Sequence, residues 1–509
     1  MKWLLTIADQ LEAQFPDGEI VVSSGVSPSG TYHLGTLREV LTAEGVCREL
    51  RLRGRTVRHI HVSDDLDIFR KVPVDVDGSF SQYLGMPLCD VPSPGGKDGS
   101  YADYFLSDLV IAAEGLHLDM EIMRAHQKYR EGYFTDAIER ALENIPKIRQ
   151  SLETISGRKL ESNWSPVQVI ENGRLKNRNF IRLEKESKHI VYEGSDAQES
   201  SISYTNGLVK LNWRIDWPAR WWKLGVQAEP FGKDHATKGG SYDTGVSIAK
   251  NVFGIEAPLP IPYNFINKTG ETKKMSKSAG DTLTAVDLLK ILPPELIWFF
   301  ILRFPPEKLL FFDTSETLIR LFDEFSELLS KENKTVDEER LIELCLLGVE
   351  SPTVSRVPFT HLFVSYQSSL KDPLRSLDVM RRTEYAQIIE EDKETVMREF
   401  AFIDEWLNQW ADDDVKFELV QTVNKDDFTE VEKQFMSALA DKITSAPDDA
   451  DGEWFHKAIY EFKTELEIEP KIMFSTLYRA LIAKESGPRA GWFLSMLPRE
   501  WLTKRLKLQ

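Results

Sequence analysis

The sequence predicts an α/β fold in which a parallel sheet flanked by helices is interrupted by an insertion and followed by an all-α C-terminal region. Three observations carry this. The strand-like run Glu19-Ile20-Val21-Val22-Ser23-Ser24 leads through the turn Pro28-Ser29-Gly30-Thr31-Tyr32 into a helix-like run from Leu37 to Leu50, the order of a β/α unit. A second such unit follows Trp217-Pro218-Ala219-Arg220-Trp221-Trp222: the strand Val226–Phe231, the polar turn Gly232-Lys233-Asp234-His235 and a helix near Tyr242–Val252. From Pro293 onward apolar residues recur at helical spacing almost throughout.

Between these landmarks the first helix runs to about Arg53 and Thr56–Val62 reads as the next strand. That strand ends on Asp64-Asp65-Leu66-Asp67, at the edge where a parallel sheet places its ligands. Pro87, Pro92, Pro94, Gly95 and Gly96 mark a long loop. Residues 121–215 read as the insertion: two helices, then strand-like runs around Val167–Ile170, Phe180–Leu183 and Ile190–Tyr192. A strand within Leu259–Asn267 precedes the basic loop Lys273-Lys274-Met275-Ser276-Lys277-Ser278. The clearest helices beyond are Glu394–Trp410, Phe428–Ile443, Trp454–Leu466 and Ile472–Ala483, with Asp412-Asp413-Asp414 and Asp448–Gly452 in connecting loops.

Composition narrows the class. Hydrophobic content of 42% and charged content of 28% over 509 residues describe a globular chain of several domains. It has no apolar run of membrane-spanning length. The N-terminus turns polar at Ala8-Asp9-Gln10, short of a signal-peptide core. Three cysteines without close spacing point to a reducing, cytoplasmic setting rather than a disulfide framework. The net charge of −18 excludes indiscriminate nucleic-acid binding. Arg48, Arg51, Arg53, Arg55 and Arg58, and the tail Lys504-Arg505-Leu506-Lys507, read equally as local basic surfaces or solvated helix faces.

The turn before the first helix is a candidate anion site, because a helix N-terminus presents unsatisfied N–H groups. His33 and these amides can donate to phosphates, and Gly35 lets a nucleotide approach the backbone closely. Lys274 and Lys277 can act as mobile point charges on β- and γ-phosphates. Gly95-Gly96-Lys97-Asp98-Gly99-Ser100 lacks the spacing of a Walker loop. His33 alone reads as a helix cap and the Lys/Ser loop alone as a common surface loop. In this order, His33-Leu34-Gly35-Thr36 and Lys274-Met275-Ser276-Lys277-Ser278 resemble the His-Ile-Gly-His and Lys-Met-Ser-Lys-Ser signatures of class I aminoacyl-tRNA synthetases, the first departing at Leu34 and Thr36.

The resemblance extends further. Gly25-Val26-Ser27-Pro28-Ser29-Gly30, Arg38-Glu39, Asp64-Asp65-Leu66-Asp67, Phe69-Arg70-Lys71-Val72-Pro73, Leu211-Asn212-Trp213-Arg214-Ile215-Asp216-Trp217-Pro218-Ala219-Arg220-Trp221 and Phe231-Gly232-Lys233-Asp234-His235 are similar to the class I lysyl-tRNA synthetases typical of archaea. It implies a Rossmann-type catalytic domain in two halves, 1–120 and 216–292, around a connective module, 121–215. It also implies a helical stem-contact domain, 293–355, and an α-helical anticodon-binding domain, 356–509. The implied reaction is ligation of lysine to tRNA(Lys) with ATP and Mg²⁺. The implied roles are catalysis for His33, Lys274 and Lys277, and nucleotide binding for Gly35, Thr36, Gly232, Asp234, Met275, Ser276 and Ser278. Gly25, Ser27, Trp213, His235 and Tyr263 are implied to line the lysine pocket.

A lysine substrate needs a carboxylate near its ε-ammonium, since a buried unpaired cation is costly. Asp64, Asp65, Asp67 and Asp216 are all candidates, with helix capping or pairing to Arg70 as the structural alternative. One departure is plain. The family's connective module typically carries two Cys-x-x-Cys pairs that make a zinc ribbon, whereas Val167–Arg174 and Val191–Ala197 contain no cysteine. No structural zinc is therefore expected, and His189 lacks companion ligands. A synthetase of other amino-acid specificity and a non-catalytic tRNA-binding scaffold are the competing readings.

Overall fold

The computed structural model describes all residues except 163, 271–282, 421 and 448–449. Lys274, Met275, Ser276, Lys277 and Ser278 thus lie outside the described residues. The chain divides into two compact units. The first takes in Met1–Leu289, Ile297–Phe312 and Val336–Gly348; the second takes in Lys290–Leu296, Asp313–Thr335 and Val349–Gln509.

The first unit begins α1 (Lys2–Gln14), β1 (Ile20–Val26), α2 (Leu34–Leu52), β2 (Val57–Ser63), α3 (Tyr101–Gly115), β3 (Met120–Arg124) and α4 (Ala125–Arg130). Helices α5 (Thr135–Glu143) and α6 (Ile145–Ser156) precede the short strands β4 (Val167–Glu171), β5 (Arg174–Asn177), β6 (Phe180–Glu184), β7 (His189–Glu193), β8 (Glu199–Ser203) and β9 (Val209–Leu211). Then come α7 (Trp213–Leu224), β10 (Ala228–Gly232), α8 (Ser241–Ile248), β11 (Leu259–Tyr263), β12 (Ile266–Lys268) and β13 (Leu310–Phe312).

Five parallel strands form the central sheet in the order β11-β10-β1-β2-β3. The chain builds outward from β1 to β3, then returns to the other side of β1 with β10 and β11. This reversal opens a crevice beyond the carboxyl ends of β1 and β10, the ligand position of such sheets. Edge strand β3 straddles residue 120, where the sequence suggested a boundary. β10 is buried throughout and β1 over its first five residues, with Ser23, Ser24 and Glu229 buried among the apolar side chains.

Helix α2 packs on the sheet through polar as well as apolar groups. Glu44 accepts from His59 Nδ1 (2.8 Å) and Arg51 (2.7 Å), and Ser24 Oγ joins His59 to His61. Burial alone would raise the Glu44 pKa, but His59 and Arg51 hold it below its ordinary value. Arg48 is buried 3.8 Å over the Trp298 ring and donates to the carbonyls of Leu116, His117 and Leu344. Arg53 pairs with Glu49, Asp9 and Glu12, Arg55 donates to Phe15 O, and Arg58 pairs with Glu19 and Glu121. The arginine-rich stretch is therefore spent on internal contacts rather than a basic surface.

The inserted strands form two antiparallel three-stranded sheets, β5-β4-β9 and β6-β7-β8. Their Val167, Val169, Ile190, Tyr192, Val209 and Leu211 share one apolar core with Val21, Ile60, Val62 and Phe231 of the central sheet. Residues 157–211 hold no cysteine and a single histidine, His189, whose Nδ1 meets Ser187 O at 2.6 Å. That donor set does not fit a thiolate zinc site, and apolar burial holds the module instead.

In the second unit, Lys393–Gln409, Glu430–Thr444, Gly452–Glu465 and Pro470–Ile482 are helices, each end within two residues of the periodicity reading. The basic tail is absorbed here too. Arg505 is buried against Val420 O, Lys504 pairs with Glu500, and Lys507 pairs with Asp441. Among the described residues no helix is long and apolar enough to cross a membrane.

Candidate active site

A cleft of about 840 Å³ opens in the crevice at the carboxyl ends of the central strands. Its walls gather Gly25, Ser27, His33, Gly35, Thr36, Trp213, His235 and Tyr263, residues up to 238 positions apart in sequence. Gly232 and Asp234, at the end of β10, are not among its lining residues. They are coupled to each other: a Cβ at Gly232 would lie 2.5 Å from Asp234 Oδ1, so any larger residue there would displace that carboxylate.

His33 is the N-cap of α2 and is buried, its Nδ1 accepting from the Gly35 N–H at 3.1 Å. Accepting there places the proton of the neutral ring on Nε2, so the imidazole is a donor at its other edge. The helix start adds backbone N–H groups and a partial positive charge.

Helix periodicity puts Glu39 on the face of α2 that carries Gly35 and Thr36, and it lines the cleft with them. Glu39 Oε1 accepts from Gly25 N (2.8 Å) and Oε2 from the Tyr263 hydroxyl (2.7 Å). Burial, and then the Glu39 charge, push the Tyr263 pKa well above its ordinary value, so Tyr263 stays a donor. In the sequence, the signal that places Glu39 at the cleft is its four-residue helical spacing from Gly35.

The four aspartates separate cleanly. Asp65 is fully buried and outside the lining, accepting from Arg124 Nε and from His126 N and Nδ1, which fastens β3 and α4 to the end of β2. Asp216 is buried behind the cleft under Arg220 and the Tyr129 hydroxyl. Asp64 lines the cleft, but Arg220 (3.0 Å) and Lys210 (3.2 Å) already lie on it. Burial would raise the Asp64 pKa; the Arg220 and Lys210 charges outweigh it and lower the value to about 2. Asp67 lines the cleft and accepts from Ser27 Oγ (3.3 Å) and Arg70 (2.9 Å). Lys210 comes from β9, so the inserted module supplies part of the cleft wall, a role that sequence spacing did not reveal.

Aromatic groups form the remaining wall. Trp213 is 37% exposed and stacks on Trp217 with ring centroids 5.3 Å apart at 15°. His235 lies 5.7 Å from Trp217. Behind them, buried Glu229 Oε2 accepts from both the Trp217 and Trp221 indole N–H groups, and burial raises its pKa to about 7 against their opposing effect. Glu229 thus fixes the ring on which Trp213 leans.

The sequence matches the family described as tRNA synthetases class I (K) over residues 1–345. It is 35% identical to a lysine–tRNA ligase of Archaeoglobus fulgidus over 96% of both chains. It is 33% identical to lysine–tRNA ligase 1 of Methanosarcina acetivorans, covering 100% of this chain and 98% of that one. The figure is 34% for a lysine–tRNA ligase of Pyrococcus furiosus, over 96% of each. Among solved structures, a glutamate tRNA ligase from Elizabethkingia meningosepticum aligns over 96% of this chain and 98% of its own, at 14% identity and a TM-score of 0.41. The chain therefore belongs to the class I (K) tRNA synthetase family.

Proposed function

We propose that this chain is a lysine–tRNA ligase, which joins lysine to ATP as lysyl-adenylate and then passes the lysyl group to the terminal adenosine of tRNA(Lys). One observation carries the reading: Glu39 is held by Gly25 N and the Tyr263 hydroxyl inside the cleft. A carboxylate so placed, beside two residues the family pattern gives to the amino acid, supplies the partner that a buried ε-ammonium requires. Asp64 and Asp216 are already covered by cations. Trp213, His235 and Ser27 border the space left for the four-carbon stem and the α-amino group.

In the first step the lysine carboxylate attacks the α-phosphorus of ATP-Mg²⁺ and pyrophosphate leaves. Charge grows on phosphate oxygens, and preorganised donors lower that barrier. His33 Nε2–H and the α2 amides are such donors; Lys274 and Lys277 add positive charge. Gly35, Thr36, Gly232, Asp234, Met275, Ser276 and Ser278 hold the nucleotide. In the second step the 2′-hydroxyl of the tRNA adenosine attacks the acyl carbon and AMP departs. Residues 293–355 contact the acceptor stem, and the helices of 356–509 read the anticodon through exposed aromatic and basic groups. All three cysteines are free thiols, which suits the cytoplasm.

Pyrophosphate exchange with each of the amino acids, run with and without tRNA, followed by tRNA charging, tests the reading. Lysine-dependent exchange and lysyl-tRNA formation are expected. Exchange with a different amino acid alone refutes the substrate, and tRNA binding without any exchange favours a scaffold.

A further inference from the structure

Glu229 is a buried carboxylate that no step of the proposed reaction uses. From β10 it reaches α7, where its Oε2 accepts from the indole N–H groups of both Trp217 (3.0 Å) and Trp221. The two rings are not held alike. Trp221 is wedged: a Cβ at Gly245 of α8 would lie 2.8 Å from its ring, so it has no room to retreat. Trp217 carries Trp213 stacked on its other side, and His235 lies 5.7 Å away. Trp213 is the partly exposed outer ring and lines the cleft. The hydrogen bond from Trp217 to Glu229 therefore ties this stack to the central sheet. Burial, the largest effect, raises the Glu229 pKa to about 7 against the two indoles and Arg220, the one fixed charge acting on it among the described residues. Tyr242 of α8 is kept neutral, first by burial, which pushes its hydroxyl up to about 12. Beside β10, strand β1 carries no ionisable side chain and β11 only Tyr263, also held protonated.

We propose that Glu229 is a positioning residue for the lysine pocket, and that its ionised form, acting through the Trp217–Trp213 stack, binds lysine more tightly than its neutral form. The proposal rests on the ligase reading. A charged acceptor holds an indole N–H more strongly than a neutral one, and the gap for one hydrogen bond converts to about fivefold in affinity. With Glu229 ionised, the stack is already ordered when lysine arrives. With Glu229 neutral, that bond weakens; Trp221 stays wedged, and Trp217 with Trp213 must be ordered by the substrate itself. Arg220 stays charged and Tyr242 neutral near pH 7, so the carboxyl is the member of this group that changes state there. A ligand that favours the ionised form must also release protons from it on binding.

The test uses the full chain with tRNA(Lys) present. The KM for lysine in pyrophosphate exchange should fall about threefold from about pH 6 to about pH 8, the share of a roughly fivefold difference that a group titrating at about 7 shows over that range. E229Q, neutral at every pH, should keep the low-pH KM throughout. The ratio of E229Q to wild type separates this carboxyl from His235 and from ATP, whose titrations are common to both proteins. The kcat should match wild type, since Glu229 is proposed to touch no reacting group. Without ATP, calorimetry in two buffers at about pH 7 should show lysine binding release about a third of a proton more from wild type than from E229Q. W217F keeps the carboxylate and a ring beneath Trp213 but has no N–H to tether; its lysine KM should be high and independent of pH, and it carries the test if E229Q does not fold. A constant KM ratio across the pH range, equal proton release, or a wild-type pH dependence in W217F overturns the inference, while lysine-dependent exchange leaves the ligase reading intact. A lowered kcat with unchanged KM overturns it as well, in favour of a role in the reaction step. A wild-type protein that activates no lysine removes the ligase reading and this inference together.

Discussion

Glu39→Gln is the sharpest single test of the pocket. The substitution keeps size and shape but removes the charge proposed to meet the ε-ammonium. It also sets an amide NH₂ against either Gly25 N–H or the Tyr263 hydroxyl, which now donate to Glu39 at 2.8 and 2.7 Å. A hydrogen bond to a charged partner contributes about 1.5–3 kcal/mol, and each 1.4 kcal/mol is about tenfold in affinity. The kcat/KM for lysine should therefore fall by about 10- to 100-fold, measured as pyrophosphate exchange over a lysine titration with tRNA present. The KM for ATP should stay within about threefold, because Glu39 is proposed to meet the ammonium rather than the phosphates. Norleucine, the lysine analogue that lacks the ε-ammonium, serves as the control and should lose nothing relative to wild type. Retained lysine kcat/KM, or an equal loss with norleucine, would refute the pairing.

His33→Asn preserves a capping side chain while removing the imidazole donor, so thermal stability should hold while adenylation slows by about 10²-fold or more. Lys277→Ala should slow the same step, and normal single-turnover adenylation in both variants would end their assigned roles. Arg220→Met leaves Asp64 and Asp216 buried with less compensation, so unfolding of the first unit should be about 3–5 kcal/mol easier in urea; a smaller change than 1 kcal/mol would contradict that balance. Glu229 is raised from 4.5 to about 7 in the fold. The native state then binds more protons than the unfolded chain between those values, and stability falls as pH rises through this window, by about 3 kcal/mol at most. Glu229→Gln should cancel that slope, and parallel melting curves from pH 5 to 8 would show that Glu229 is not its source.

The β1–turn–α2 unit was legible because local signals agreed: an apolar strand, Pro and Gly in the turn, and His33 before a helix. The return through β10 and its polar turn was legible for the same reason. Helix α7 was not, because Pro218 and the Trp-rich run suggest a break, yet the helix passes through Pro218. Burial of Trp217 and Trp221 overrides the lost N–H. Helix α3 was hidden behind Pro92, Pro94 and Gly96, although Ser100 and Asp103 form a capping box at its start. Strands β5 and β8 are polar and short, and pairing rather than composition defines them. The cleft's motif residues could be named from the chain; the balance among Asp64, Lys210 and Arg220 could not, because groups 64, 210 and 220 meet only in three dimensions.

Arg48 sets the terms on which this chain can be cut. Its guanidinium binds carbonyls at residues 116, 117 and 344 and rests on the ring at 298, so the catalytic half is not finished where its last sheet strand ends. A protein shortened to residue 289 would keep every lining group of the cleft yet leave this cation facing solvent without Leu344 and Trp298. The smallest self-sufficient catalytic fragment must reach residue 348, and segments 290–296 and 313–335, which fold with the second unit, would then travel with it. Dissection at a single peptide bond cannot separate the two halves of this enzyme.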